Sequence, residues 1–122
     1  MASQNGIGTL QSVVLDCPEP RKLAEFYGRL IGGDIVTDDP DWVVLADPSG
    51  RRFAFQIAPD YRSPEFPDTT GSQQFHLDVL VEDVDAAEKQ VLAAGATLVQ
   101  AETDGKFRVY RDPVGHTFCL VW

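Results

Sequence analysis

The sequence predicts an α+β fold made of two tandem βαβββ modules whose sheets cup a shared cavity. Three observations carry that prediction. A turn of the form Asp-Pro-x-Gly occurs twice, as Asp47-Pro48-Ser49-Gly50 and as Asp112-Pro113-Val114-Gly115. Strand-like runs flank both turns. Each turn also closes the same series of strand, amphipathic helix and two further strands. The two series align at a nearly constant offset: Ser12 falls on His76, Glu19 on Asp83, Gly32 on Gly95, Trp42 on Phe107 and Asp47 on Asp112. Element order, spacing and turn chemistry agree together, which is the mark of a duplicated unit. Paired units create a cleft between them, and clefts are where small molecules bind.

The elements follow in order. Leu10–Cys17 reads as a strand centred on Val13, Val14 and Leu15. Pro18-Glu19-Pro20 opens a helix, because proline is tolerated in the first turn, where an amide has no helical partner. Leu23, Phe26, Tyr27, Leu30 and Ile31 recur on one helical face, and Gly32-Gly33 ends it. A strand over Asp34–Thr37, an acidic turn at Asp38-Asp39-Pro40-Asp41, and strands at Trp42–Ala46 and Arg52–Ala58 complete the first module. The second begins with a strand over Gln74–Val81. Asp83 supplies a helix N-cap; Val84, Ala87, Val91 and Leu92 form the apolar face, and Gly95 stops the helix. Strands at Thr97–Gln100, Phe107–Arg111 and Thr117–Trp122 follow. The chain is thus one domain, residues 1–122, with modules at about 8–58 and 74–122 and a linker at 59–73. The linker prolines exclude a central strand or helix. Its Tyr61 and Phe66 either cover a cleft or pack the linker down.

Composition narrows the function. The 122 residues are 43% apolar, enough to bury a real core. A net charge of −9 argues against nucleic acid or an anionic membrane surface as partner. No apolar run reaches the length of a membrane span, and Met1–Gly6 lacks the marks of a signal peptide. Cys17 and Cys119 form no C-x-x-C or disulfide-rich pattern, so a reduced, cytoplasmic protein is expected. A bridge between them stays open.

Strand alternation sorts the side chains into faces. Leu77, Val79 and Val81 oppose His76, Asp78 and Leu80; Phe118, Leu120 and Trp122 oppose Thr117, Cys119 and Val121. Val13, Leu15 and Cys17 oppose Ser12, Val14 and Asp16; Phe53, Phe55 and Ile57 oppose Arg52, Ala54 and Gln56. Each module therefore has an apolar face for its helix and a mixed face for the cavity. Arg52, Gln56, His76, Asp78, Thr117 and Cys119 are the polar or reactive groups assigned to the mixed faces. Trp42 and Phe107, on equivalent strands, are aromatic walls or core.

These residues resemble the vicinal oxygen chelate superfamily, the group of glyoxalase I, bleomycin-resistance proteins, fosfomycin-resistance enzymes and extradiol dioxygenases. The paired modules, Leu23-Ala24-Glu25-Phe26-Tyr27 with its Leu30-Ile31-Gly32-Gly33 ending, His76-Leu77-Asp78 and Asp112-Pro113-Val114-Gly115-His116 carry the resemblance, which spans Leu10 to Trp122. It implies a cavity that often holds a divalent metal, bound by histidine on the first strand of a module and glutamate on the strand after the turn. His76 matches the histidine position. The others fall on Ser12, Ala54 and Cys119, so one matched ligand of four remains. A metal site needs three or four converging donors; no cofactor is therefore expected, although a divalent metal stays an alternative. Cys119 could serve a soft metal as thiolate, while His116 is expected to stay within its turn.

The favoured reading is a metal-independent small-molecule binding protein of the bleomycin-resistance type, with Trp42, Gln56, His76, Asp78, Phe107 and Cys119 as ligand-binding residues. Its acidic charge suits a neutral or cationic ligand. The alternative is a lyase, isomerase or dioxygenase-type enzyme with His76 as base or metal ligand, oriented by Asp78 or Gln56. An accessory domain without ligand is a third. The resemblance also implies a homodimer.

Overall fold

The computed structural model describes residues 5–64, 75–101 and 105–122. Its elements are β1 (Val13–Cys17), α1 (Pro20–Ile31), β2 (Asp34–Asp39), β3 (Trp42–Ala46), β4 (Arg52–Ile57), β5 (Leu77–Leu80), α2 (Val84–Ala93), β6 (Thr97–Gln100), β7 (Phe107–Arg111) and β8 (Thr117–Val121). They form two four-stranded sheets with the same order, β1-β4-β3-β2 and β5-β8-β7-β6. In each sheet the outer first strand runs parallel to the last and the remaining pairs are antiparallel. The register of β2 on β3 shifts between Ile35 and Thr37, and that of β6 on β7 between Leu98 and Gln100. The duplication therefore extends to the position of an irregularity, a detail with no sequence marker.

Three boundaries differ from expectation by two residues or more. β1 starts at Val13 rather than Leu10, because its partner β4 starts at Arg52 and Val13 pairs with Phe53. Leu10 and Gln11 have no β4 residue opposite them. β2 extends through Asp38 and Asp39, which pair with Val43 and Trp42, leaving Pro40-Asp41 as a tight connection in which proline presets the turn. β5 begins at Leu77 and ends at Leu80, so the described Phe75 and His76 precede the strand rather than belong to it, while Gln74 and Phe66 lie outside the described residues.

Helix α1 presents Leu23, Ala24, Phe26 and Tyr27, all buried, to the interior. Helix α2 is capped by Asp83, whose Oδ1 accepts from the Ala86 amide at 3.1 Å. Its burial is slighter than the pattern promised. Val91 is buried and Val84 and Ala87 half-buried, but Leu92 is 41% exposed, because one residue beyond Val91 it turns away from the sheet.

One core serves both modules. Leu15, Cys17, Val43, Leu45 and Phe55 of the first join Val91, Tyr110, Phe118 and Leu120 of the second around α1. Phe26 is the bridge: its ring meets Tyr27 edge-on at 5.1 Å and Phe118 at 5.9 Å. Each large side chain so buried contributes about 1.5–3 kcal/mol. Both cysteines are free, and no described helix is long and apolar enough to cross a membrane.

The turns dock unequally where the modules meet. In both, the aspartate Oδ1 binds the turn itself: Asp47 accepts from the Ser49 and Arg51 amides, Asp112 from the Val114 and His116 amides. The second oxygens part company. Asp112 Oδ2 accepts from the Tyr27 hydroxyl of the other module at 2.6 Å, whereas Asp47 Oδ2 accepts from Arg51 Nε of its own turn at 2.8 Å. His116 keeps its place in the turn, while its side chain reaches the other module. Its Nε2 lies 2.7 Å from the Asp16 carbonyl on β1; a carbonyl can only accept, so Nε2 carries the proton. Tyr61 packs its ring 5.5 Å from that imidazole, which is the packing role considered for it.

Candidate functional site

The ladders place Arg52, Gln56, Asp78, Thr117 and Cys119 on the mixed faces assigned to them, and His76 lies just before β5, outside the ladder. Directly paired residues share a side of the sheet. In the first sheet Asp16 pairs with Gln56 and Gln56 with Trp42. In the second, Asp78 pairs with Cys119, Cys119 with Val109, and Phe107 with Val121. Trp42 is half-buried and Gln56 exposed; Phe107 is 37% exposed, and Thr117 and Cys119 are buried. Arg52, half-buried on the first mixed face, has a buried Nε with no partner among the described residues. Such an orphan donor calls for water or a ligand.

The closest chemical grouping is on the second sheet. One donor atom each from His76, Asp78 and Cys119 lies within 4.8 Å of the others. His76 Nε2 is 3.3 Å from Asp78 Oδ1. The backbone explains this: His76 immediately precedes β5, two residues before Asp78, and parallel pairing sets Cys119 beside Asp78. Burial pushes the Cys119 thiol up to about 11, helped by the negative charge of Asp78 and a hydrogen bond to its carboxylate. At neutral pH it is a protonated donor, not a nucleophile.

Sequence reasoning found His76 and Cys119 as ligand positions of the resemblance and Asp78 as an orienting group. It did not anticipate that Asp78 would contact both. The alternation pattern contained that signal for His76; for Cys119 the register was needed. The two groups, Trp42 with Gln56 and His76 with Asp78 and Cys119, belong to different sheets. A cavity of about 550 Å³ is lined by both modules. Of the six predicted ligand-binding residues, Asp78 is the one in its lining, beside Ile31, Ser49, Arg51, Phe53 and Leu77.

The donor set fits a four-ligand oxygen-chelating centre poorly. Ser12 and Ala54 offer no imidazole or carboxylate, and Ala54 is fully buried in its sheet. What converges is one nitrogen, one carboxylate and one protonated thiol, all within a single module. A hard divalent ion prefers oxygen donors, whereas this mixture suits a thiophilic ion.

Paired βαβββ modules with the same strand order and a continuous core define the class: an α+β fold built from a duplicated unit. Residues 12–121 match the model of the Glyoxalase-like domain, and the chain belongs to that family, within the vicinal oxygen chelate superfamily. No curated protein matches. Solved structures share the fold. A possible glyoxalase from Bacillus cereus is 16% identical, with 96% of this chain and 100% of that chain covered and a TM-score of 0.71. A genomically encoded fosfomycin resistance protein from Listeria monocytogenes is 13% identical over 95% and 93%, with a TM-score of 0.71. A glyoxalase/bleomycin resistance protein/dioxygenase family enzyme from Burkholderia phytofirmans is 23% identical over 89% and 94%, with a TM-score of 0.67.

Proposed function

We propose that the protein binds a small neutral or cationic molecule without a metal, in the manner of the bleomycin-resistance branch. Trp42, Gln56, His76, Asp78, Phe107 and Cys119 are the contact residues. The observation that carries this reading is the His76–Asp78–Cys119 cluster: its donors lie within 4.8 Å in one module, while the corresponding first-module positions, Ser12 and Ala54, add no ligand. The cluster offers imidazole, carboxylate and thiol hydrogen-bonding groups to a ligand. The net charge of −9 supports the choice of ligand charge. Val14 and Phe107 are apolar, on mixed faces, and 42% and 37% exposed, which supports cover by a second copy of the chain. Cationic bleomycin is the first probe. Calorimetric titration should give saturable binding that an excess of a strong chelator leaves unchanged and His76→Ala weakens. Binding that vanishes on chelation sinks the reading.

The same cluster favours a second reading, in which His76 acts as base or ligand in an enzyme. Cobalt(II) tests it directly. A thiolate-to-cobalt absorption band that appears on titration and disappears in Cys119→Ser would establish a metal centre; no band, together with metal-free binding, would dismiss it.

A further inference from the structure

The unequal docking of the two turns leaves one corner of the molecule closed and its duplicate open. At the closed corner, the turn at Asp112 is fixed to the first module by Tyr27, and His116 donates to the outer edge of β1 through the Asp16 carbonyl. At the duplicate corner, Arg51 stands where His116 stands and Leu80 where Asp16 stands. Arg51 folds back through Nε onto Asp47 instead of reaching β5. The cavity of about 550 Å³ lies there, between the turn at Asp47, the end of α1 and the whole of β5.

Its edge chemistry follows from the ladder. β5 is the outermost strand of its sheet. The Val81 amide donates to the Val121 carbonyl, so Val81 faces β8. Strand residues point their amide and carbonyl to alternate sides, so the backbone groups of Leu80 face away from β8, into the open corner. The same reasoning holds at β1, where the Cys17 carbonyl accepts from Ala58 on the β4 side and the Asp16 carbonyl receives His116 from outside. The corner therefore holds a strand-edge donor and acceptor at Leu80, without a partner among the described residues, and a guanidinium with a 75% exposed side chain. Apolar walls come from Ile31, Phe53, Leu77 and Val79. Asp47 uses only Arg51 Nε, so the two terminal nitrogens are without a partner among the described residues.

We propose that this corner is a second binding site, organised around Arg51 and Leu80 and bordering the His76–Asp78–Cys119 cluster through the shared Asp78, for a small apolar carboxylate carrying an amide: an N-acylated hydrophobic amino acid. The carboxylate takes the two terminal nitrogens of Arg51 as a fork. The amide pairs with the Leu80 backbone as an added strand would, and the side chain enters the apolar walls. The ligand does at β5 what His116 does at β1.

N-acetyl-L-leucine is the probe, with N-acetyl-L-leucinamide as the control that lacks the charge. In two-dimensional amide NMR of the intact chain, the acid at millimolar concentration should shift the resonances of Arg51 and Leu77–Leu80 saturably, and the amide should bind at least about tenfold more weakly. Arg51→Gln should lose that preference. Leu80→Pro should weaken binding of both probes, because it removes the outward amide without breaking a bond to β8; unchanged resonances elsewhere in each variant confirm that the fold persists. Absence of saturable shifts at this corner, equal binding of acid and amide, or full binding by Arg51→Gln overturns the proposal.

Discussion

The Tyr27 hydroxyl donates to Asp112 Oδ2 at 2.6 Å across the junction of the two modules, and both side chains are buried. Burial holds the Tyr27 phenol protonated well above its ordinary range, with the charge and hydrogen bond of Asp112 adding to the effect. Tyr27→Phe keeps the ring contacts with Phe26 and Phe55 but leaves a buried carboxylate oxygen unsatisfied. The variant should lose about 1–3 kcal/mol in urea unfolding. The raised value also sets a pH window. Stability from the protonated phenol is complete below the unfolded value, about 10, and declines as pH rises from there toward the folded value. The wild type should therefore weaken more steeply than Tyr27→Phe in alkaline urea melts; parallel curves would show that the bond contributes nothing.

The Asp47 turn carries the opposite dependence. Burial tends to raise its carboxyl, but hydrogen bonds from Ser49 and Arg51 and the Arg51 charge outweigh it and bring the value down to about 2. A depressed acid stabilises above its unfolded value and loses that contribution as pH falls through the folded one. The loss should fall between about pH 4 and about pH 2. Asp47→Asn removes the charge while keeping an acceptor for the Ser49 and Arg51 amides. Denaturant midpoints at several acid pH values should converge for the two proteins at the low end, and a constant gap would refute the assignment.

The paired modules, all ten elements and the faces of the strands were legible because each rests on a local signal: periodicity, proline, glycine or a turn tetrapeptide. Helix α1 is the clear case, with its apolar stripe bounded by Pro20 and Gly32. The module junction was not legible. Tyr27 reads as one more member of that stripe, and nothing near it in sequence says that its hydroxyl meets Asp112. His116 reads as a turn residue, and its turn bond does form; its reach to Asp16 depends on how two modules pack. The cluster was legible in part. Alternation places His76 beside Asp78, but the contact of Asp78 with Cys119 follows from the β5–β8 register.

Gly33 and Gly50 separate backbone strain from crowding. Their φ angles are +101° and +92°, both in the region that favours glycine. A Cβ at Gly33 would lie 2.0 Å from the Ala46 carbonyl oxygen, whereas at Gly50 nothing lies within 4 Å. Gly50→Ala should cost roughly 1–2 kcal/mol, the left-handed penalty alone. Gly33→Ala must in addition displace the backbone at the end of β3 and should lose more than about 4 kcal/mol or fail to accumulate folded. Equal melting temperatures for the two variants would contradict the tight approach of Gly33 to β3.

Cys119 and Cys17 provide an internal comparison for the state of the cluster. Burial raises both thiols to about 11, but the charges that assist are different: Asp78 at Cys119, Asp16 and Asp112 at Cys17. In the native protein near neutral pH, iodoacetamide should alkylate either one slowly, because the thiolate is the reactive form. Asp78→Asn removes the charge that opposes ionisation of Cys119 and leaves the Cys17 surroundings intact. Alkylation at Cys119, followed by peptide mass spectrometry across a pH series, should then speed up several-fold, with Cys17 unchanged. Cys119 is 6% exposed and Cys17 fully buried, so a rate that rises equally at both sites would report general opening of the fold. A rate at Cys119 that is indifferent to Asp78→Asn would mean that the carboxylate does not hold the thiol, and the cluster would lose the contact that joins its two strands.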